Sequence, residues 1–345
     1  MTSLGPADIA LSRAQACVTA VPVIVLGSGA SAAYGIPGMP ALRDLFLSSH
    51  PPVTTTPADM VTWNDLIAVL KTQDLEAALG AVTLSAPLTR FVVDTTRDYL
   101  VPHDIRVLDE LLVNRSTLTL TRLYQHLFKS THTEISVVTP NYDCLAEFAA
   151  DAGDISHFTG FNCGHLRSRS AESLPRNSLG SARHRMVSIW KVHGSLDWFR
   201  DRDGVIVALP VGYRPGGDLE PAIVTPGIQK YRTTHDEPFR TIMQGADAAM
   251  RAAPAFLCIG YGFNDEHLQP MLVERCRKDE VPLVLIAKQL TAAAQDFLRG
   301  GKCRSYLALE ESVGGYKMYC PEYPGGVDVS GSACWSLDQF LTLVT

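Results

Sequence analysis

Four short polar stretches in this chain hold residue types that can handle a phosphate, a water and a proton, and each follows an apolar run. The first is Gly27-Ser-Gly29-Ala30-Ser31-Ala32, which fits G-x-G-x-x-A after VIVL. Gly27 permits a tight turn and Gly29 lets the backbone approach a phosphate closely. A helix starting at Ala30–Ser31 points free N–H groups at an anion. The second is Thr139-Pro-Asn141-Tyr-Asp143, the third His193-Gly194, and the fourth Gly260-Tyr261-Gly262-Phe-Asn264. Histidine titrates near neutrality and serves as a general base, while asparagine orients a hydroxyl or a water. Each stretch also has a purely structural reading: a strand-to-helix turn, an N-cap with Asp143 on the helix dipole, or a simple turn. Their joint placement after four apolar runs is what favours chemistry.

Two phosphate chemistries are excluded. A dehydrogenase of the usual dinucleotide-binding type needs a second strand ending in an acidic residue about 20 positions on. There the chain reads LRDLFLSSHPPVTT, and Asp44 falls on a helical pattern. A phosphate-loop ATPase fails because no G-K-[ST] follows the glycines.

The elements that must position these residues alternate. Continuous apolar runs at 21–26, 135–139, 186–192, 222–224, 255–260 and 282–287 read as strands covered on both faces. Helical patterns at 30–34, 144–152, 266–278 and 292–299 follow several of them. The fold expected is α/β, a doubly wound parallel Rossmann-like sheet, with functional residues beyond the carboxyl ends of the strands. Residues 1–345 read as a single nucleotide-binding domain, with a helical insertion at 42–130 and an irregular one, rich in Gly, Ser and Arg, at 153–185. The basic stretch 167–185 reads as a solvated loop.

Composition narrows the function classes. A formal charge of −6 argues against direct nucleic-acid binding. Charged residues are 19%, below the usual quarter, so a homo-oligomer interface is expected. The eight cysteines are scattered without a C-x-x-C pair. No secretory leader or membrane-length apolar run is present, which reads as a cytoplasmic chain with reduced thiols and no membrane partner.

In order, these motifs resemble the sirtuin family, whose members carry G-A-G-x-S followed by G-I-P, then T-Q-N-x-D, a His-Gly and a G-[TS]-S turn. Here they stand as Gly27-Ser-Gly29-Ala30-Ser31, Gly35-Ile36-Pro37, Thr139-Pro-Asn141-Tyr-Asp143, His193-Gly194 and Gly260-Tyr261-Gly262, across roughly 21–290. Three departures matter. Gly38-Met39-Pro40 replaces the family's D-F-R, Pro140 replaces its Gln, and the four zinc cysteines are missing, so no metal is expected. The stretches KVHGSLDW and IGYGFNDEHL are similar instead to sirtuin-like domains of bacterial anti-phage systems, which degrade NAD.

The resemblance implies NAD as substrate, with its pyrophosphate over Gly29, Ala30 and Ser31 near Gly260. Gly27, Pro37, Tyr261 and Gly262 complete the binding loops. Asn141 would orient the nicotinamide ribose or the attacking water, Asp143 would fix that loop and the ribose edge, and His193 would be the general base. The implied activity is an NAD glycohydrolase. The same loops also fit a deacylase or ADP-ribosyltransferase, and a glycine loop alone fits a non-catalytic nucleotide-sensing module. A hexameric translocase-type ATPase is the partner the resemblance implies.

Overall fold

Val23 and Val25 pack into one buried cluster while Ile24 and Leu26 pack into another. Successive side chains of a strand point to opposite faces, so a strand between two cores is apolar at every position. The same split recurs in Phe256–Ile259 and Leu283–Ala287. This is why VIVL, FLCI and LVLIA carry no alternation.

The computed structural model describes residues 4–162, 164, 166–169, 178–179, 182–213, 216, 219–225, 237–265 and 268–345. The chain begins α1 (Pro6–Thr19), β1 (Val23–Leu26), α2 (Ser28–Ala32), α3 (Met39–Ser48), α4 (Pro57–Leu70), α5 (Leu75–Ala81), α6 (Ala86–Val113) and α7 (Thr119–Leu127). It continues β2 (Glu134–Thr139), α8 (Leu145–Ala152), β3 (Ser156–Phe158) and three two-residue strands, β4 (Arg167–Ser168), β5 (Ser178–Leu179) and β6 (Ala182–Arg183). Next come β7 (Met186–Lys191), β8 (Gly194–Arg200), β9 (Ile206–Ala208), β10 (Glu220–Ile223), α9 (Phe239–Ala252), β11 (Phe256–Ile259) and α10 (Gln269–Lys278). The last elements are β12 (Leu283–Ala287), α11 (Ala292–Arg299), β13 (Tyr306–Ser312), β14 (Gly315–Cys320), β15 (Tyr323–Ser330) and α12 (Leu337–Val344).

The large sheet has nine strands in the order β15-β14-β13-β12-β11-β1-β2-β7-β3. From β13 to β3 every neighbouring pair is parallel, and β14 and β15 are antiparallel. The chain winds outward from β1 through β2 and β7, then returns to the other side of β1 with β11, β12 and β13. Helices α1, α7, α8 and α12 cover one face, and α9, α10 and α11 cover the other. The fold is therefore the doubly wound, Rossmann-like α/β sheet, and its topological switch point lies between β1 and β11, where such folds bind ligands.

Two expectations change. The run at 222–224 belongs to β10, which pairs antiparallel with β8 in a separate four-stranded sheet, β10-β8-β9-β4, over its own core of Phe161, Trp198 and Phe239. The helix expected from 266 runs as α10 from Gln269, with 266 and 267 outside the described residues. Between 39 and 127 the chain holds only helices, α3–α7. Most of 163–185 lies outside the described residues, Cys163 and His165 included. Among the described residues no helix is long and apolar enough to cross a membrane.

Candidate functional site

The glycine turn after β1 meets the loop after β11 at the switch point. A Cβ on Gly27 would lie 2.4 Å from the Gly260 carbonyl oxygen, one on Gly29 2.8 Å from Gly260 Cα, and one on Gly260 2.3 Å from the Ala30 nitrogen. Gly260 also has φ +57°, which disfavours any side chain. The N–H groups of Gly27, Gly29 and Ala30 donate to the carbonyls of Ile259, Gly260 and Gly27. These glycines let two loops touch, and their N–H groups are used within the protein rather than held out to a phosphate. Ser28, at the start of α2, is exposed and lines the clefts on both sides.

Those clefts differ in size. A small one of about 180 Å³ is lined by Gly27, Pro37, Asn141, Asp143, His193 and Asp265. A long one of about 1670 Å³ runs past Gly29, Ala30 and Gly260 towards Lys288 and Thr291 at the end of β12. Ser28, Ser31, Glu76, Tyr261, Gly262 and Asn264 line both.

Asn141 follows β2 and is clamped by its amide. Its Nδ2 donates to the Gly27 carbonyl at 2.9 Å and to Ser31 Oγ at 3.0 Å. Both amide hydrogens are thereby engaged, so Asn141 offers its Oδ1, an acceptor, to the cleft. Ser31 is buried and donates to Asp143 Oδ2 at 2.6 Å, while Asp143 Oδ1 accepts the Leu145 N–H at 3.3 Å. Ser31 and Asp143 thus form the mount of Asn141, and both also line the small cleft.

His193 stands where the chain leaves the large sheet. Gly194, at φ +84°, turns it directly into β8, so the imidazole is held between the two sheets. Its Nε2 lies 2.5 Å from Asp265 Oδ2. Val224 closes the cleft above it: the Val224 N–H donates to the His193 carbonyl at 2.9 Å, and Tyr142 Oη donates to the Val224 carbonyl at 2.9 Å.

Below the Asn141 loop is a buried charge cluster. Lys191 is fully buried, lies 3.1 Å from Glu147 Oε1 and donates to the carbonyls of Tyr142 and Asp143. Burial opposes its charge, but Cys144, Glu147, Asp197 and Asp143 outweigh that and keep it protonated. Asp104, from α6, accepts the Cys144 N–H at 3.2 Å. Burial first, and the Asp143 charge second, push its carboxyl up to about 8.

Four contributors escaped the sequence. Asp265 stands in GFNDEHL, three residues beyond Gly262, and its sign was a polar residue just past a glycine turn. Lys191 was visible as a charge inside an apolar strand, which demands a buried partner. Ser28 was overlooked between its glycines. Glu76 gave no signal, because only the tertiary fold brings α5 to the switch point. Among the described residues no group of three or more His, Cys, Asp or Glu side chains is placed to hold a metal ion.

No curated protein sequence matches this chain. Among solved structures, one of a Sir2 enzyme analysed for mechanism and regulation is 13% identical, covering 98% of this chain and 97% of that one at a TM-score of 0.47. A Sir2 homologue–NAD complex is 13% identical, covers 87% of each chain and has a TM-score of 0.42. A Sir2 protein bound to a propionylated peptide is 13% identical, covering 78% of this chain and 82% of that one, with a TM-score of 0.41. Residues 135–299, the span that holds Asn141, Asp143, His193, Gly260 and Asp265, match the SIR2-like domain family.

Proposed function

We propose that this protein cleaves the N-glycosidic bond of NAD with water, releasing nicotinamide and ADP-ribose. The observation that carries this reading is the pair of joined clefts, a small one holding Asn141 and His193 and a long one beginning at the glycine turn. A dinucleotide is two nucleosides joined by a pyrophosphate, and Ser28 lines both clefts. The small cleft carries Asp143, Asp265 and Glu76 and, among its described lining residues, no Lys or Arg. That charge suits a cationic nicotinamide ring and the oxocarbenium-like centre formed as it departs.

In this reading the bond between C1′ and the nicotinamide nitrogen breaks, and its electron pair leaves with nicotinamide. Water adds to C1′, steered by Asn141 Oδ1, and His193 takes the proton that water loses. One feature supports water over an acylated peptide as acceptor: a peptide that docks as an added strand needs a free backbone edge, and the edge beside His193 is taken by β10.

The test is incubation of the purified protein with NAD, with and without an acetylated peptide. Equal release of nicotinamide and ADP-ribose without peptide is expected; release that requires the peptide overturns the reading. A place in anti-phage defence, with activity restrained by self-association or a translocase-type ATPase, is supported by the likeness of KVHGSLDW and IGYGFNDEHL. It is tested by whether expression lowers cellular NAD only during infection.

A further inference from the structure

Asp265 is held at both of its carboxylate oxygens. Oδ1 accepts the N–H of Leu268, the residue before α10, at 3.1 Å, and Oδ2 lies 2.5 Å from His193 Nε2. The two side chains come from loops after different strands, 72 positions apart, and their exposures are 8% and 5%. The Leu268 N–H needs only an oxygen, which Asn supplies without charge. A buried carboxylate is costly unless hydrogen bonds hold it, and the imidazole Nε2 is one of the groups in contact with it. An ionised carboxylate only accepts, so Nε2 carries the proton and Nδ1 is the basic nitrogen of the neutral ring.

We propose that Asp265 is a positioning residue for His193, fixing the ring's orientation and tautomer and stabilising the imidazolium formed when His193 takes a proton. The proposal rests on the reading of this cleft as a site of NAD hydrolysis. The water proton passes to the imidazole as the new O–C1′ bond forms and is later released to solvent, leaving ring and carboxylate unchanged. The other ionisable groups lining the cleft are Asp143 from the loop after β2, Glu76 from α5, and the phenols of Tyr142 and Tyr261. Burial first, and then nearby carboxylates among other groups, keeps both phenols protonated. Glu266 and His267, next along the chain, lie outside the described residues.

Asp265→Asn separates the two roles, because Asn keeps an oxygen for the Leu268 N–H but carries no charge. The variant is expected to lose a factor on the order of 10² to 10⁴ in kcat for nicotinamide release, as loss of a carboxylate behind a catalytic histidine does elsewhere. Its KM for NAD stays within a few-fold, the acidic limb of its kcat/KM profile moves to lower pH, and Asp265→Glu restores part of the rate. In a His193→Ala background the same change has no further effect.

Long-range ¹H–¹⁵N spectra of the histidine rings supply a readout that needs no NAD. The parental protein should show His193 protonated at Nε2, and Asp265→Asn should lose that exclusive tautomer. An unprotonated Nε2 in the parental protein, or an Asp265→Asn enzyme with parental kcat and pH profile, overturns the proposal. Failure of the NAD reading itself would appear differently, as no nicotinamide release by the parental protein with the tautomer intact.

Discussion

The hydroxyl of Ser31 donates to Asp143 Oδ2 at 2.6 Å, and that bond, with the Gly27 carbonyl, fixes which end of the Asn141 amide faces the cleft. With its hydrogen given to Asp143, Ser31 Oγ can only accept, so Asn141 must turn its Nδ2 towards it. Ser31→Ala should leave the amide held by the Gly27 carbonyl alone and lower kcat for NAD cleavage about 10- to 100-fold. Asn141→Ala should cost on the order of 10² to 10⁴. Steady-state kinetics check both, and a Ser31→Ala enzyme at the parental rate would detach the relay from the chemistry.

Ser28 is exposed and lines both clefts. Ser28→Ala should raise KM for NAD by about tenfold at nearly constant kcat, the scale of a hydrogen bond to a charged group. A change in kcat instead would move Ser28 from binding to chemistry.

Gly260→Ala would combine φ +57° with a Cβ 2.3 Å from the Ala30 nitrogen. Backbone cannot yield as a side chain does, so the expected loss is at least about 1–3 kcal/mol from strain alone. Gly262→Ala meets the Thr291 methyl at 3.2 Å and should melt within a few degrees of the parent. Thermal melts of the two variants decide the comparison.

Asp104 makes stability depend on pH. Its folded-state carboxyl is raised to about 8 by burial and by Asp143. The folded protein therefore binds a proton there that the unfolded chain has released, and stability from this group is lost as pH rises from about 4 to about 8. Asp104→Asn keeps an oxygen for the Cys144 N–H and removes the titration. Denaturation at pH 5 and pH 8.5 should show the variant gaining on the parent at the higher pH, by on the order of one to a few kcal/mol. No relative gain would mean that Asp104 is already ionised in the fold at pH 5.

Lys191 serves both Glu147 and the loop carbonyls of Tyr142 and Asp143. Lys191→Met should cost about 3–5 kcal/mol, because Glu147 is left charged and buried. Adding Glu147→Gln should restore much of the stability measured by urea denaturation. It should not restore NAD cleavage, since the loop carbonyls stay unheld.

The parallel sheet was legible because strands between two cores need apolar residues throughout, and that leaves an unbroken signature such as LVLIA. The positions of Asn141, His193 and Gly260 were legible for a related reason: a polar residue directly after such a run sits at a strand's carboxyl end. Their partners were harder to see. Asp265 and His193 are 72 positions apart, and Glu76 reaches the site through packing of the helices between 39 and 127. The glycines were visible, but the contact between their turn and the loop at Gly260 was not: close contact between two loops and close approach to a phosphate ask for the same small residue. The small antiparallel sheet was missed because Gly194 passes from one sheet to another without a linker.

The strand order has a consequence for the newborn chain. Asn141 and His193 leave the ribosome early, but the loop that packs against Gly27 and Gly29 and supplies Asp265 begins only after β11, near residue 260. Until that strand is translated and slots in beside β1, the cleft lacks one wall and the histidine lacks its carboxylate. A polypeptide stalled or cut before that point carries Asn141 and His193 but no assembled site. Truncated products of this reading frame should therefore be inert, and a cell can make the protein without exposure to fragments that act on their own.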